Sequence, residues 1–141
     1  MIWVLDTDHV SLLLQGNQAV LSRVIRHYPN VAITIVTVQE IFNGWIIRIN
    51  NPTQTTNLVR LYTNLWTATE YFKGERILNF DDNANAYYQR LLNENQQLNK
   101  KRLQKDLRIA AIALSVNGIM VTRNQRDFSQ VPDLIIEDWT Q

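Results

Sequence analysis

The chain contains no cysteine. Disulfide bonds and thiolate-held metals are therefore excluded, and a reducing, cytoplasmic setting is expected. Histidine occurs only at positions 9 and 27. The two stand apart, and both are expected at the surface or the edge of the core. Four glycines and three prolines among 141 residues include no Gly- or Pro-rich linker, and there is no repeat or low-complexity tract. No apolar run approaches the roughly 18 residues that span a bilayer, so no membrane association is expected. The N-terminus has neither a basic segment nor a small-residue cleavage site, so no signal peptide is expected. Charge of one sign is also missing. Fourteen basic and 13 acidic side chains leave a net charge of +1, so any nucleic-acid binding must come from local clustering. What is present is a hydrophobic fraction of 45%, enough for one domain with a real core.

Short apolar segments alternate with helical patterns. IWVL (2–5), NVAITIV (30–36), RILNF (76–80), IMVT (119–122) and DLIIEDW (133–139) read as strands. Between them, 9–14, 18–28, a segment from Gln39, 58–72, a segment opened by Asp81 or Asp82, and 106–118 read as helices. Gly118 is the expected stop of the last of these. Such alternation predicts an α/β fold with a mostly parallel sheet of four to five short strands.

The acids fall at telling places. Asp6 ends the first strand, Glu40 lies just past the second, and Asp127 lies five residues beyond IMVT. Ligands bind beyond the carboxyl ends of parallel strands, so acids from distant parts of the chain can converge there. Asp106 opens a helix whose following ten residues hold one charge. It shares a face with Ile109, Ala110 and Ala113, where a bare charge is costly. Each acid has a plainer alternative. Asp6 could cap the first helix, although Thr7 and Asp8 are nearer its start. Glu40 could complete a capping box with Thr37. Asp106 could pair with Arg102, and Asp127 could be an ordinary turn residue. Taken together, clustered carboxylates without Cys or His ligands suit a hard cation, Mg²⁺ or Mn²⁺. Such an ion suits phosphodiester hydrolysis.

In order along the chain, VLDTD, TVQEIFNGW, KDLRIAAIAL and IMVTRNQRDFSQVPDLIIEDW resemble PIN-domain ribonucleases, and more narrowly the VapC-type toxins of toxin–antitoxin pairs. RILNFDDNANAYYQRL fits the same family's central strand and helix. The resemblance covers essentially the whole chain, 1–141. It implies a three-layer α/β/α sandwich and an Mg²⁺- or Mn²⁺-dependent endoribonuclease silenced by a cognate antitoxin. It also implies a homodimer, or a hetero-oligomer with the antitoxin. The family's first three acids match Asp6, Glu40 and Asp106, with Asp6 and Asp106 on the metal and Glu40 acting through a water. The position of the fourth acid is Asn124, with Asp127 nearby. Thr7 and Thr122 match small hydroxyl positions that hold water or carboxylates. Asp8 stands where relatives usually carry Asn and is the better expected helix cap.

Lys100, Lys101, Arg102, Lys105 and Arg108 surround Asp106, and Arg123 and Arg126 flank the final turn. These are candidate phosphate contacts, set against a plain solvated basic face. Trp45, Arg48, Trp66 and Tyr71 are candidates for an antitoxin-binding surface, with core packing the expectation for Trp66. Tyr87 and Tyr88 have no assignment. Two other functions fit parts of the chain. VLDTDHV matches the D-x-D opening of haloacid-dehalogenase-like phosphatases, with Asp6 as nucleophile, Asp8 as acid/base, and Thr37, Lys73 and Asp81 or Asp82 as later motifs. A non-catalytic member that only binds RNA or a partner is the third possibility.

Overall fold

A computed structural model describes all residues from 1 to 141. Its five strands are β1 (Trp3–Leu5), β2 (Val31–Thr34), β3 (Ile77–Leu78), β4 (Ile119–Val121) and β5 (Ile135–Glu137). Seven helices accompany them: α1 (Thr7–Leu14), α2 (Gln18–His27), α3 (Ile35–Ile49), α4 (Leu58–Lys73), α5 (Asp82–Glu94), α6 (Gln104–Ser115) and α7 (Gln125–Phe128). The strands form one sheet in the order β3-β2-β1-β4-β5, and every pairing is parallel. No helix is long and apolar enough to cross a membrane.

Successive side chains of a strand point to opposite faces, and the core divides accordingly. Val4 and Met120 join one cluster with Ala84, Tyr88 and Leu91 of α5 and the buried run Ile109–Ala113 of α6. Leu5, Ile33 and Val121 join another with Val10 of α1, Ile41 of α3, Ala68 and Phe72 of α4, and Trp139. Helices thus cover both faces, which explains why the strands read as nearly continuous apolar runs. The expected α/β/α layering is observed.

Two of the boundaries that differ from the sequence expectation do so for clear local chemical reasons. The segment 30–36 is a strand only to Thr34, because the Thr34 hydroxyl accepts the Thr37 amide at 3.2 Å and caps a helix there. A cap of this kind outweighs the β preference of Ile35 and Val36. Helix α6 ends at Ser115, and the left-handed residue beyond it is Asn117 (φ 53°) rather than Gly118. The Gly118 amide donates to the Ala113 carbonyl at 2.8 Å and the Asn117 amide to Leu114 at 3.1 Å, a Schellman closure. Gly118 is needed for space instead. A Cβ there would lie 3.1 Å from the Ile2 carbonyl oxygen and 3.2 Å from a methyl of Val4.

Gly118→Ala is therefore expected to lower stability by about 1–3 kcal/mol, as overpacking does. Gly44 sits inside α3 with nothing within 4 Å of its added Cβ, so Gly44→Ala is expected to raise stability by about 0.5–1 kcal/mol. Urea denaturation of both variants checks the pair, and equal effects would contradict it.

Candidate active site

Strand β1 lies between β2 and β4, and all three run parallel. Their carboxyl ends share one edge of the sheet. Helices α1 and α3 begin at that edge because they follow β1 and β2. Helix α6 also begins there, because its C-terminus leads into the start of β4. The chain thus delivers Asp6, Glu40 and Asp106 to one place.

Asp6 is the first residue past β1. Its amide donates to the Val121 carbonyl at 3.0 Å, and its Oδ1 accepts the His9 amide at 2.8 Å. Asp6 is therefore the cap of α1, and it is also almost fully buried. The expectation that Asp8 is the cap is corrected. Asp8 lies one turn too late, inside the helix, and its carboxylate takes the Arg123 guanidinium at 2.5 Å. His9, expected at the surface or the edge of the core, is completely buried, whereas His27 packs at the core edge between Trp3 and Trp139.

Glu40 forms no capping box with Thr37, since Thr34 holds the cap. Its Oε1 instead accepts the Thr7 hydroxyl at 2.7 Å. Thr7 has one hydroxyl proton and spends it on Glu40. The 2.9 Å contact between Thr7 and Thr37 must therefore be donated by Thr37. A buried threonine thus orients a second threonine, which orients the carboxylate.

Asp106 lies in the first turn of α6, half-buried. Its pKa is pushed up to about 6, first by burial and then by the charges of Glu40, Asp6 and Asp127. The first-turn position favours a negative charge through the helix dipole, but that does not offset the other effects. The alternative pairing with Arg102 is not made. Arg102 binds Asp127 at 3.1 Å, and the Asn124 amide group donates to the same Asp127 oxygen at 3.1 Å. The Asn124 bond, and then Arg102, hold Asp127 below the usual carboxylate range. Asn124 and Asp127 are thus partners of each other, and the Asn124 backbone amide donates to the buried Thr122 hydroxyl at 3.0 Å.

Among the basic candidates, Arg102 and Arg123 are committed to ion pairs. Arg108 lies over the Tyr88 ring at 5.5 Å, and Arg90 over Tyr87 at 5.6 Å. Lys105 and Arg126 are exposed and free of ion pairs, as are Lys100 and Lys101. A cavity of about 430 Å³ between α1, α3 and α4 opens beside Thr7 and Glu40 and includes Trp45 and Arg48. Arg48 stacks over Trp45 at 4.6 Å. Tyr71 packs against the core, whereas Trp66, expected in the core, is 62% exposed. Residues 59, 62 and 66 share one turn-spaced face of α4, and that face looks outward.

The result is a PIN-like α/β/α fold with acids gathered at the carboxyl edge of its sheet. No family model matches the chain. It is 26% identical to ribonuclease VapC1 of Haemophilus influenzae strain R2866 over 144 aligned positions, covering 100% of both chains. Its fold matches that of VapBC-1 from nontypeable Haemophilus influenzae with a TM-score of 0.80 at 23% identity, over 100% of both chains. It matches VapBC2 from Rickettsia felis, solved on a promoter DNA fragment, with a TM-score of 0.80 at 22% identity, over 99% of each. The chain therefore has the VapC fold and resembles ribonuclease VapC1 along its whole length.

The raised pKa of Asp106 has a pH signature. Ionising Asp106 costs more in the folded protein than in the unfolded chain, whose carboxylates titrate near pH 4. Metal-free stability is therefore lost as pH rises from about 4 through about 6 and stays lost above. Asp106→Asn is expected to stabilise the EDTA-treated protein above pH 7 by about 1 kcal/mol, allowing for solvent access to the carboxylate. The gain is expected to vanish near pH 4. Thermal unfolding at both pH values checks this, and a pH-independent difference would contradict it.

Proposed function

We propose that this chain is a metal-dependent endoribonuclease, the toxin of a toxin–antitoxin pair. The observation that carries the reading is the meeting of Asp6, Glu40 and Asp106 at the carboxyl edge of the sheet, with Asp106 repelled by the other two. The full-length resemblance to ribonuclease VapC1 supports it.

The donor set fits Mg²⁺ or Mn²⁺. It is oxygen-only. That suits an ion held by two carboxylates, Asp6 and Asp106, that keeps several waters. When bound, the ion acidifies water and neutralises charge on a phosphoryl oxygen. The protein's part is to orient and to hold. Glu40, with Oε1 fixed by Thr7, keeps Oε2 available to position a water and take its proton. Lys105 and Arg126 hold flanking phosphates without reading sequence. Asp127 steadies Arg102 beside the site. The matched VapBC structures support a cognate antitoxin as partner.

A phosphatase of the D-x-D type fits less well. Lys73 closes α4 at the opposite, amino edge of the sheet and pairs with Glu70 at 3.1 Å. Asp8 is occupied by Arg123, and Asp81 caps α5.

Purified protein is expected to cut RNA with Mg²⁺ or Mn²⁺, and EDTA is expected to abolish the cleavage. Asp6→Asn keeps a cap acceptor but removes the charge, and is expected to be inactive. Glu40→Gln is expected to lose roughly 10²-fold in rate. Gel analysis of end-labelled RNA checks this. Cleavage by Asp6→Asn at the wild-type rate would contradict the proposal.

A further inference from the structure

His9 is completely buried, and both ring nitrogens are engaged. Nε2 accepts the Trp139 backbone amide at 3.2 Å. A backbone N–H can only donate, so Nε2 takes this bond as the acceptor nitrogen of the ring. The proton is therefore on Nδ1, which lies 3.1 Å from Asp6 Oδ1 and donates to it. The same Oδ1 also takes the His9 backbone amide at 2.8 Å. One residue thus supplies both protein donors to one oxygen of Asp6, and no protein group bonds Oδ2.

Trp139 is itself held firmly. It is fully buried, its indole nitrogen donates to Glu137 at 3.0 Å, and its ring stacks on His27 with centroids 5.0 Å apart. Asp138, just before it, is fastened by bonds to the Thr140 amide and hydroxyl. The contact between His9 and Trp139 joins residues 130 positions apart.

We propose that His9 is a positioning residue for the metal-binding carboxylate. It pins Oδ1 of Asp6, leaves Oδ2 to the cation, and ties that alignment to the C-terminal segment after β5. A helix cap alone needs only the backbone amide, so the ring bond and its fixed tautomer are additional to capping. Outer-shell partners of this kind typically change metal affinity 10–100-fold. The inference rests on the reading of Asp6 as a metal ligand.

The test uses the full chain and Mn²⁺ titrated calorimetrically, with circular dichroism as the folding control. His9→Leu fills the space but removes the ring donor, and Mn²⁺ binding is expected to weaken about tenfold or more. His9→Asn places an amide donor where Nδ1 was and is expected to restore most of the affinity. Imidazole ¹⁵N spectra of the wild-type protein without metal are expected to show the Nδ1–H tautomer, a readout that needs no variant. A ring protonated on Nε2 alone, with no donor at Nδ1, would overturn the proposal. So would wild-type affinity in folded His9→Leu when Asp6→Asn has lost binding. No Mn²⁺ binding by the wild-type chain would instead overturn the reading of the site, and this inference with it.

Discussion

Everything at the site depends on one constraint: the three central strands run parallel. A parallel sheet puts all its carboxyl ends on one edge, and helices running back across its faces begin at that edge. Asp6 caps α1 and Asp106 lies in the first turn of α6. Both therefore sit where unpaired amides and the helix dipole favour negative charge. This makes it possible to gather carboxylates that would otherwise repel one another apart. The favour is partial, as the raised pKa of Asp106 shows.

The three acids are held in different ways. Asp6 has one oxygen saturated by the cap and by His9. Glu40 is held through a relay of two threonines. Asp106 has no comparable restraint. Its neighbours act on it through charge, and Arg102, a cation that eases it, is bonded to Asp127. A site with two oriented carboxylates and one strained by charge is stabilised by a cation or by a proton. The price is a metal-free protein less stable above neutral pH than its amide variant.

Much of this was legible in the sequence. The apolar strands, the α/β layering and the placement of Asp6 and Glu40 follow from apolar runs and from where those runs stop, and Asp106 was singled out by its place at the start of an apolar helix and by the family resemblance. The pairing of side chains did not follow. Which of Asp6 and Asp8 caps α1 turns on the residue at which β1 ends, and Thr34 displaced Thr37 as a cap in the same way. His9 looked solitary because one partner, Trp139, is at the other end of the chain, and the other, Asp6, was read as a strand end rather than as the cap beside it. Arg102 looked like a partner for Asp106 by helical spacing, but that segment is a 3₁₀ turn and its guanidinium reaches Asp127. Trp66 was expected in the core, although its face of α4 looks outward.

The most direct test of the central claim, that these carboxylates form a cation site, is proton release on metal binding. The pKa of Asp106 is pushed up to about 6, so part of it carries a proton at pH 6, and a carboxylate must lose its proton to bind an ion. Mn²⁺ titrated calorimetrically at pH 6, in two buffers of different ionisation enthalpy, should show a fraction of a proton released per ion bound. That release should disappear at pH 8. Heats that do not depend on the buffer at pH 6, or no binding at either pH, would contradict the account.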